Sequence, residues 1–388
     1  MKIAWVTPVA PPTPSGQSRV LGALLDGLDD CDSILFTDDE RALRAGNDRP
    51  CKYVALPQLQ RPRFGFPALN SWLQKRHARL HIEACAELMQ RQLSAGPVSV
   101  IVGCTASRTL LAAAWLVSHR LNVPFVAYLF DDPVKQWQNS ADQLEARRWE
   151  LMWSAEAAAI VTPNEVLAAD VQARCGIKCD VVRNCISKRA YSDARAQWPL
   201  KPGELSIVYT GAVYHAHFDA FINLVNAIDR VPIPTTLHVY TDQDESDLRR
   251  QGINGSVVYH PHLPSNEIFA IQHQADILFL PMAFNSPIPE VIRSSAPGKL
   301  GEYLASGRPI LVHAPAESFA STFHRERHCG FVVDAPSPDA IANAIMEICE
   351  DSEARNRVVR RSTEEAVAFS AEVVCEKFGR ILSSVART

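Results

Sequence analysis

The segment Ser294–Pro309 (SSAPGKLGEYLASGRP) gathers the residue types that grip an anion and a vicinal diol. Pro297 suits the first position of a helix, where the amide hydrogen it lacks would go unpaired, and Ser294 and Ser295 precede it as capping types. Gly298 leaves backbone N–H groups bare at the positive end of the helix dipole, and Lys299 adds a full charge to the same turn. Amides, dipole and ammonium together make an anion site suited to a diphosphate. Leu300, Tyr303 and Leu304 share one face and should pack on a sheet, with Lys299 and Glu302 on the other side. The carboxylate of Glu302 can accept both hydroxyls of a ribose, one per oxygen. Gly307 closes the helix ahead of Arg308-Pro309. The segment reads as a grip for a nucleotide-activated sugar. The competing reading is a capped surface helix whose Lys299 and Glu302 form a weak, exposed ion pair.

Other spacings are weaker. His77 and His81 stand four apart on a helical stretch, as a metal pair would, but no third ligand accompanies them and exposed histidines are the plainer reading. His260 and His262 alternate on an extended segment and read as lining a cleft. Cys175, Cys179 and Cys185 are the closest group among ten cysteines, and their irregular spacing suits reduced, buried thiols better than zinc. Scattered thiols point to a cytoplasmic setting. No metal site is expected.

The chain of 388 residues is 47% hydrophobic and 21% charged, enough for large cores in two domains. A formal net charge of −4 gives no footprint for nucleic acid, so any attraction for phosphate must be local. The opening MKIAWVTPVAPPTPSG is broken by prolines and does not read as a signal peptide. No stretch approaches the ~20 apolar residues of a spanning helix.

Two segments begin alike. Lys2–Val6 reads as a buried strand, followed by a Pro/Gly turn through Gly16 and a helix carrying Val20, Leu21, Leu24, Leu25 and Leu28. Far downstream, Ser206–Tyr209 leads through Thr210-Gly211 into a helix with Phe218, Phe221, Ile222, Val225 and Ile228. Between them, strands are expected at Ser33–Phe36, Val98–Val102, Pro124–Leu129, Ala158–Val161 and Asp180–Val182. Helices are expected at Leu69–Leu93, Ser107–His119, Ala141–Ala155 and Glu165–Cys175. Later strands fall at Thr236–Tyr240, Val257–Tyr259, Ile277–Leu280, Ile310–Val312 and Gly330–Val333, and the last helices at Pro338–Glu350 and Ser352–Ser384. Such alternation implies α/β architecture: two doubly wound, Rossmann-like domains with parallel sheets and a ligand cleft at their strand ends. The boundary is expected near Asn184–Gly203, a linker-like stretch with Lys188, Arg189, Arg195, Pro199, Lys201 and Pro202.

PGKLGEYLASGRPI resembles the C-terminal signature of GT-B glycosyltransferases, especially the retaining family 4, or group 1, enzymes. PPTPSG resembles their N-terminal glycine loop, VTPNEVLAADV and VVRNCIS their end-of-domain pattern, and VVYHPHLPSNEIFAIQHQADILFLPM their base-binding stretch. The resemblance implies a GT-B fold facing a central cleft. Residues 1–190 would form the acceptor-binding domain, 200–365 the nucleotide-sugar-binding domain, and 366–388 a helix crossing back to the first.

It also assigns roles. Glu302 would hold the donor ribose, the turn Pro297, Gly298, Lys299 and Leu300 the diphosphate, and Pro261, His262 and Leu263 the base. Gly16 and Gly211 would form the glycine turns. This chain departs at Ser294, where the group often has a second glutamate. The turn GAVYHAHFD departs too: it places Ala212, His215 and His217 where an Arg and a Lys often stand, so His217 joins the donor-side candidates and Lys299 takes over some of that charge.

Asp131 and Asp132 in AYLFDDPVKQW follow a strand end and are candidates for catalysis, positioning the acceptor or steadying positive charge at the anomeric carbon. Helix capping ahead of Pro133 is the competing reading, and neighbouring carboxylates rarely aim at one atom as a glycosidase pair must. The stretch 58–96 is basic and aromatic, with Arg61, Arg63, Lys75, Arg76, Arg79, Arg91, Phe64, Phe66 and Trp72. It offers a peripheral membrane contact or a solvated helix face.

The expected activity is transfer of a sugar from a nucleotide-sugar to the hydroxyl of a glycan, lipid-linked or small-molecule acceptor, without nucleic acid, metal or separate cofactor. A nucleotide-sugar epimerase and a non-catalytic binding lobe remain as rivals.

Overall fold

The computed structural model describes residues 1–28, 30–46, 49, 51–59, 67–186 and 203–386, apart from the side chains of residues 67–71, 265 and 266. The expected membrane-facing Arg61, Arg63, Phe64 and Phe66, and the linker residues Lys188, Arg189, Arg195, Pro199, Lys201 and Pro202, lie outside the described residues. The chain divides into two units, Met1–Arg183 with Val374–Thr388, and Asn184–Val373.

In the first unit, short apolar runs make inner strands buried on both faces, and partly buried strands lie at the two edges. These are β1 (Lys2–Val6), β2 (Asp32–Thr37), β3 (Cys51–Ala55), β4 (Val100–Cys104), β5 (Phe125–Tyr128), β6 (Ala159–Thr162) and β7 (Asp180–Val181). They pair in the order β3-β2-β1-β4-β5-β6-β7, every pair parallel. Helices α1 (Gly16–Gly27), α2 (Glu40–Ala45), α3 (Pro67–Leu93), α4 (Arg108–Leu121), α5 (Ser140–Glu156) and α6 (Glu165–Cys175) make the connections. The chain reverses its winding between β1 and β4, so the crevice for a ligand opens beyond their carboxyl ends. There the Gln17 amide donates to Thr7 Oγ1 (3.1 Å) and to the Thr105 carbonyl (3.2 Å), tying the two strand ends together.

The second unit repeats the plan. Strands β8 (Leu205–Thr210), β9 (Thr235–Tyr240), β10 (Val257–His260), β11 (Ile277–Pro281), β12 (Ile310–His313) and β13 (Phe331–Val333) pair in the order β10-β9-β8-β11-β12-β13. Its helices are α7 (Phe218–Ile228), α8 (Glu245–Arg250), α9 (Ser265–Gln274), α10 (Pro289–Ser294), α11 (Leu300–Ala305), α12 (Phe319–Arg327), α13 (Pro338–Glu350) and α14 (Ser352–Ala366). Relabelled from its own start, this order is that of the first six strands of the first unit. Its switch point lies between β8 and β11.

The expected single helix over Ser352–Ser384 is two. After α14 the chain makes a 3-10 turn at Val367–Phe369, turns extended at Ser370 (φ −64°, ψ 146°) and resumes as α15 (Ala371–Val385). Tertiary contacts impose the break. The Ile186 N–H donates to the Phe369 carbonyl at 2.9 Å, and Phe369 is buried against Gly301, where a Cβ would stand 2.9 Å from its side chain. Beyond the break, Phe378 is fully buried in the first unit, 5.8 Å from the Trp5 ring and 5.4 Å from that of Tyr128.

Candidate functional site

The loops at the switch point of the second unit converge on α11. Leu300, Tyr303 and Leu304 are buried to 1% exposure or less, so the apolar face of α11 lies against the core as its spacing requires. Tyr303 Oη accepts the Thr210 N–H at 3.1 Å, pinning α11 to the end of β8. Burial pushes the Tyr303 phenol up to about 12, despite the bonds from Thr210, so it stays protonated.

Glu302 is only 6% exposed, which removes the exposed ion-pair reading of this segment. Gln272, fully buried on α9, donates its amide to Glu302 Oε2 (3.2 Å) and to Thr210 Oγ1 (3.0 Å). One side chain thus aligns the carboxylate with the glycine turn. Its own Oε1 is buried without a partner among the described residues. Nothing in the local sequence marked Gln272, because its partners lie 62 and 30 residues away.

Lys299 reaches back over the turn after β8. Its Nζ stands 3.6 Å from the centroid of the Tyr209 ring, and a Cβ at residue 211 would lie 3.3 Å from it. Gly211 also holds φ +121°, which side-chain-bearing residues rarely adopt, so the backbone favours glycine there and the ammonium lies close over it. The Lys299→Ala variant should lose about tenfold to a hundredfold in affinity for a nucleoside diphosphate, as removal of a charged partner does, and much less for the bare nucleoside. Titration calorimetry with both ligands measures the difference; equal losses would contradict the diphosphate role.

His217 is buried beside the same ammonium. Its ring meets Tyr209 at 6.0 Å and Tyr214 at 4.6 Å, both edge-on, and its Nδ1 has no partner among the described residues. Burial first, then the positive charge of Lys299 and the neighbouring His215, push its pKa well below the ordinary value, so the imidazole is neutral near pH 7. A buried, unsatisfied ring nitrogen can take a polar group of a ligand. The Asn184 amide donates to the Ala296 carbonyl at 3.1 Å and steadies the turn before Lys299.

Two expectations about this turn are corrected. Pro297 does not open the helix: α10 ends at Ser294, Ser295 is extended, and the Leu300 N–H closes a turn onto the Pro297 carbonyl at 2.9 Å. Lys299 is therefore the N-cap of a six-residue helix. So short a helix contributes little dipole, which leaves the lysine itself as the positive charge of this turn. Pro261 and His262 stand exposed and Leu263 half-buried after β10, two strands from β8, or about 10 Å at ordinary strand spacing. His260 is stacked on Tyr240 (4.3 Å, 8°) and bonded to His238 Nδ1 at 3.0 Å.

In the first unit, Gly16 is the exposed first residue of α1, after the N-cap Ser15, with nothing within 4 Å of a Cβ placed there. Asp132 is 2% exposed, and its oxygens are engaged in the fold. Oδ1 accepts the Val134 and Lys135 N–H groups at 2.8 Å each, and Arg174 donates to both oxygens at 2.8 and 3.2 Å. No helix begins at Pro133, so Asp132 caps none: it holds the turn at 133–136, and the N-cap of α5 is Asn139. Asp131 is half-buried, and burial, then the negative charge of Asp132, push its pKa up to about 6.

Other sequence signals dissolve. His81 is buried rather than exposed, its Nε2 2.7 Å from the Pro57 carbonyl. Among the described residues no group of His, Cys, Asp and Glu is arranged to hold a metal ion, and the ten cysteines are free thiols. No helix among them is long and apolar enough to cross a membrane.

Two parallel sheets of Rossmann order, each flanked by helices, define the GT-B fold. Residues 204–351, which contain Gly211, His217, Gln272, Lys299 and Glu302, match the family model described as Glycosyl transferases group 1. The chain resembles that group. No curated protein matches the chain. Among solved structures, sucrose-phosphate synthase from Thermosynechococcus elongatus superposes with a TM-score of 0.73 at 15% identity, covering 99% of this chain and 98% of that one. HepE from Anabaena, in complex with UDP-glucose, superposes at 0.70 and 13% identity, covering 99% and 100%. The α,α-trehalose 6-phosphate synthase from Burkholderia multivorans superposes at 0.68 and 12% identity, covering 100% and 99%.

Proposed function

We propose that this chain transfers a hexosyl group from a nucleotide-sugar to an acceptor hydroxyl, with retention of anomeric configuration and without metal or separate cofactor. The observation that carries the reading is the buried Glu302 carboxylate, held by Gln272 to the end of β8, with the Lys299 ammonium over the Gly211 turn that follows that strand. A ribose placed on Glu302 brings the diphosphate to Lys299, with the base toward Pro261, His262 and Leu263. The UDP-glucose bound by HepE supports a donor of this class. In the reaction the bond from the anomeric carbon to the diphosphate oxygen breaks, the acceptor oxygen bonds that carbon, and the acceptor proton departs with the diphosphate. Lys299 stabilises the charge that grows on the leaving group. The neutral His217 offers its unsatisfied Nδ1 to the donor.

Asp131 is the carboxylate left for the acceptor side, since Asp132 is committed to Arg174 and the turn. The ionised form is the one that steadies positive charge. With a pKa of about 6, kcat/KM should fall as pH drops through that value, and Asp131→Asn should flatten this acid limb while lowering the plateau. An unchanged limb in Asp131→Asn would remove Asp131 from the mechanism.

Incubation of the purified protein with UDP-, GDP- and ADP-sugars, with and without an acceptor mixture, tests the function. Transfer requires acceptor for turnover. Conversion of a nucleotide-sugar alone into its epimer would establish the rival enzyme. Binding without either reaction would establish a binding lobe. Chelation should leave transfer unaffected.

A further inference from the structure

Helices α3 and α5 flank α4 in the first unit and leave between them a cavity of about 400 Å³. Ile82, Leu144, Trp149 and Met152 supply its apolar lining, and Lys75, Arg79 and Arg148 its cations. The apolar surface continues outside it. Of the ten large apolar side chains exposed among the described residues, five lie on these two helices: Trp72 (56%), Leu80 (57%), Leu144 (56%), Leu151 (52%) and Met152 (47%). Spacing keeps them in rows. Trp72, Lys75, Arg76, Arg79 and Leu80 follow one side of α3, and Leu144, Arg148, Leu151 and Met152 one side of α5.

The charges are sorted. The acidic groups of the walls are neutralised from α4, where Arg120 pairs with Glu83, and Arg108 with Asp142 and Glu145. Lys75, Arg79 and Arg148 have no acidic partner among the described residues. Arg76 lies over the Trp72 ring at 5.5 Å. Unpaired cations beside exposed apolar side chains sit uneasily in water, because the apolar rows remain hydrated. Both demands are met at a bilayer surface, where anionic headgroups take the cations and the acyl boundary takes the apolar rows. A hydrophilic polyanion would answer only the charge and leave the apolar rows in water.

We propose that the α3–α5 face seats this protein on an anionic lipid surface, as a peripheral contact. The notion of a basic, aromatic contact in 58–96 gains a second wall here, α5, which the sequence did not connect with it. The proposal stands whether or not the chain transfers sugars.

Sedimentation of the full chain with vesicles of phosphatidylcholine alone, and of phosphatidylcholine with phosphatidylglycerol, tests it. Strong partitioning to the anionic vesicles only, weakening as salt rises, is expected. The triple variant Lys75→Ala, Arg79→Ala, Arg148→Ala should partition about a hundredfold less, from roughly fivefold per cation. Leu144→Ser with Met152→Ser should weaken binding with its salt dependence intact. All five positions are exposed, so melting temperature should hold. Absence of binding to anionic vesicles, equal binding to both kinds, or full binding by the triple variant would each overturn the proposal. The first result, paired with retention on an immobilised polyglutamate, would point to an acidic protein instead.

Discussion

Replacing Glu302 with alanine is expected to weaken binding of a nucleoside diphosphate by about two to four orders of magnitude. The size follows from two hydrogen bonds to a buried charge, each worth ~1.5–3 kcal/mol. Burial makes them count, because water cannot substitute in a group that is 6% exposed. The fold should survive, since Tyr303 and not Glu302 pins α11 to β8, and Gln272 keeps its bond to Thr210 Oγ1. Glu302→Gln keeps the shape and loses the charge, so its loss should be smaller. Calorimetry on both variants, with melting curves of the free proteins, separates binding from folding. Unchanged affinity in Glu302→Ala would refute the ribose role.

The largest stability effect is expected at Arg174. This side chain binds Glu150, which is fully buried, through bonds of 2.7–3.2 Å, and Asp132 at 2.8 and 3.2 Å. Burial alone would lower the pKa of its guanidinium, but the bonds to Glu150 and the charges of Asp132 and Glu150 hold it above the ordinary value. Arg174→Ala strands two buried carboxylates, only one of which keeps another arginine: Arg147 donates to Glu150 at 2.6 Å. The cost should be about 3–5 kcal/mol, seen as a lower urea midpoint. The same change frees the turn that Asp132 organises and so displaces Asp131. A loss below ~1 kcal/mol would show that solvent already carries most of this network.

Most of the scaffold was legible because strands buried on both faces need apolar runs, and capped helices announce their ends. The bounds of α6 were legible at Asn164, whose side chain accepts the Leu167 N–H, and at Gly176, which holds φ +72°. Those of α13 were legible at Ser337-Pro338. Strand β3 escaped notice because an edge strand with a mixed burial pattern lacks the apolar run. The break at Ser370 carries no proline or glycine; Ile186 and Gly301 impose it from elsewhere in the chain.

The site divides in the same way. Lys299 and Glu302 were legible because their spacing sits on one short segment. What aims them was not. Gln272, Asn184 and Tyr209 arrive from three other elements, and the ion pair that holds Asp132 comes from Arg174, 42 residues away. The departure at GAVYHAHFD also changes meaning in three dimensions. Where an Arg and a Lys often stand, this chain has a neutral His217 next to Lys299, its Nδ1 without a partner among the described residues, so the proposed grip rests on one cation.

The most direct test of a nucleotide-sugar grip is a thermal-shift panel of nucleoside diphosphates and nucleotide-sugars on the wild-type chain and on Glu302→Ala. Ligands that bind only the folded state raise its melting temperature according to concentration and affinity. One base, as diphosphate and as sugar conjugate, should stabilise the wild type, and the shift should collapse in Glu302→Ala. Equal shifts in both proteins, or none with any nucleotide, would contradict such a grip.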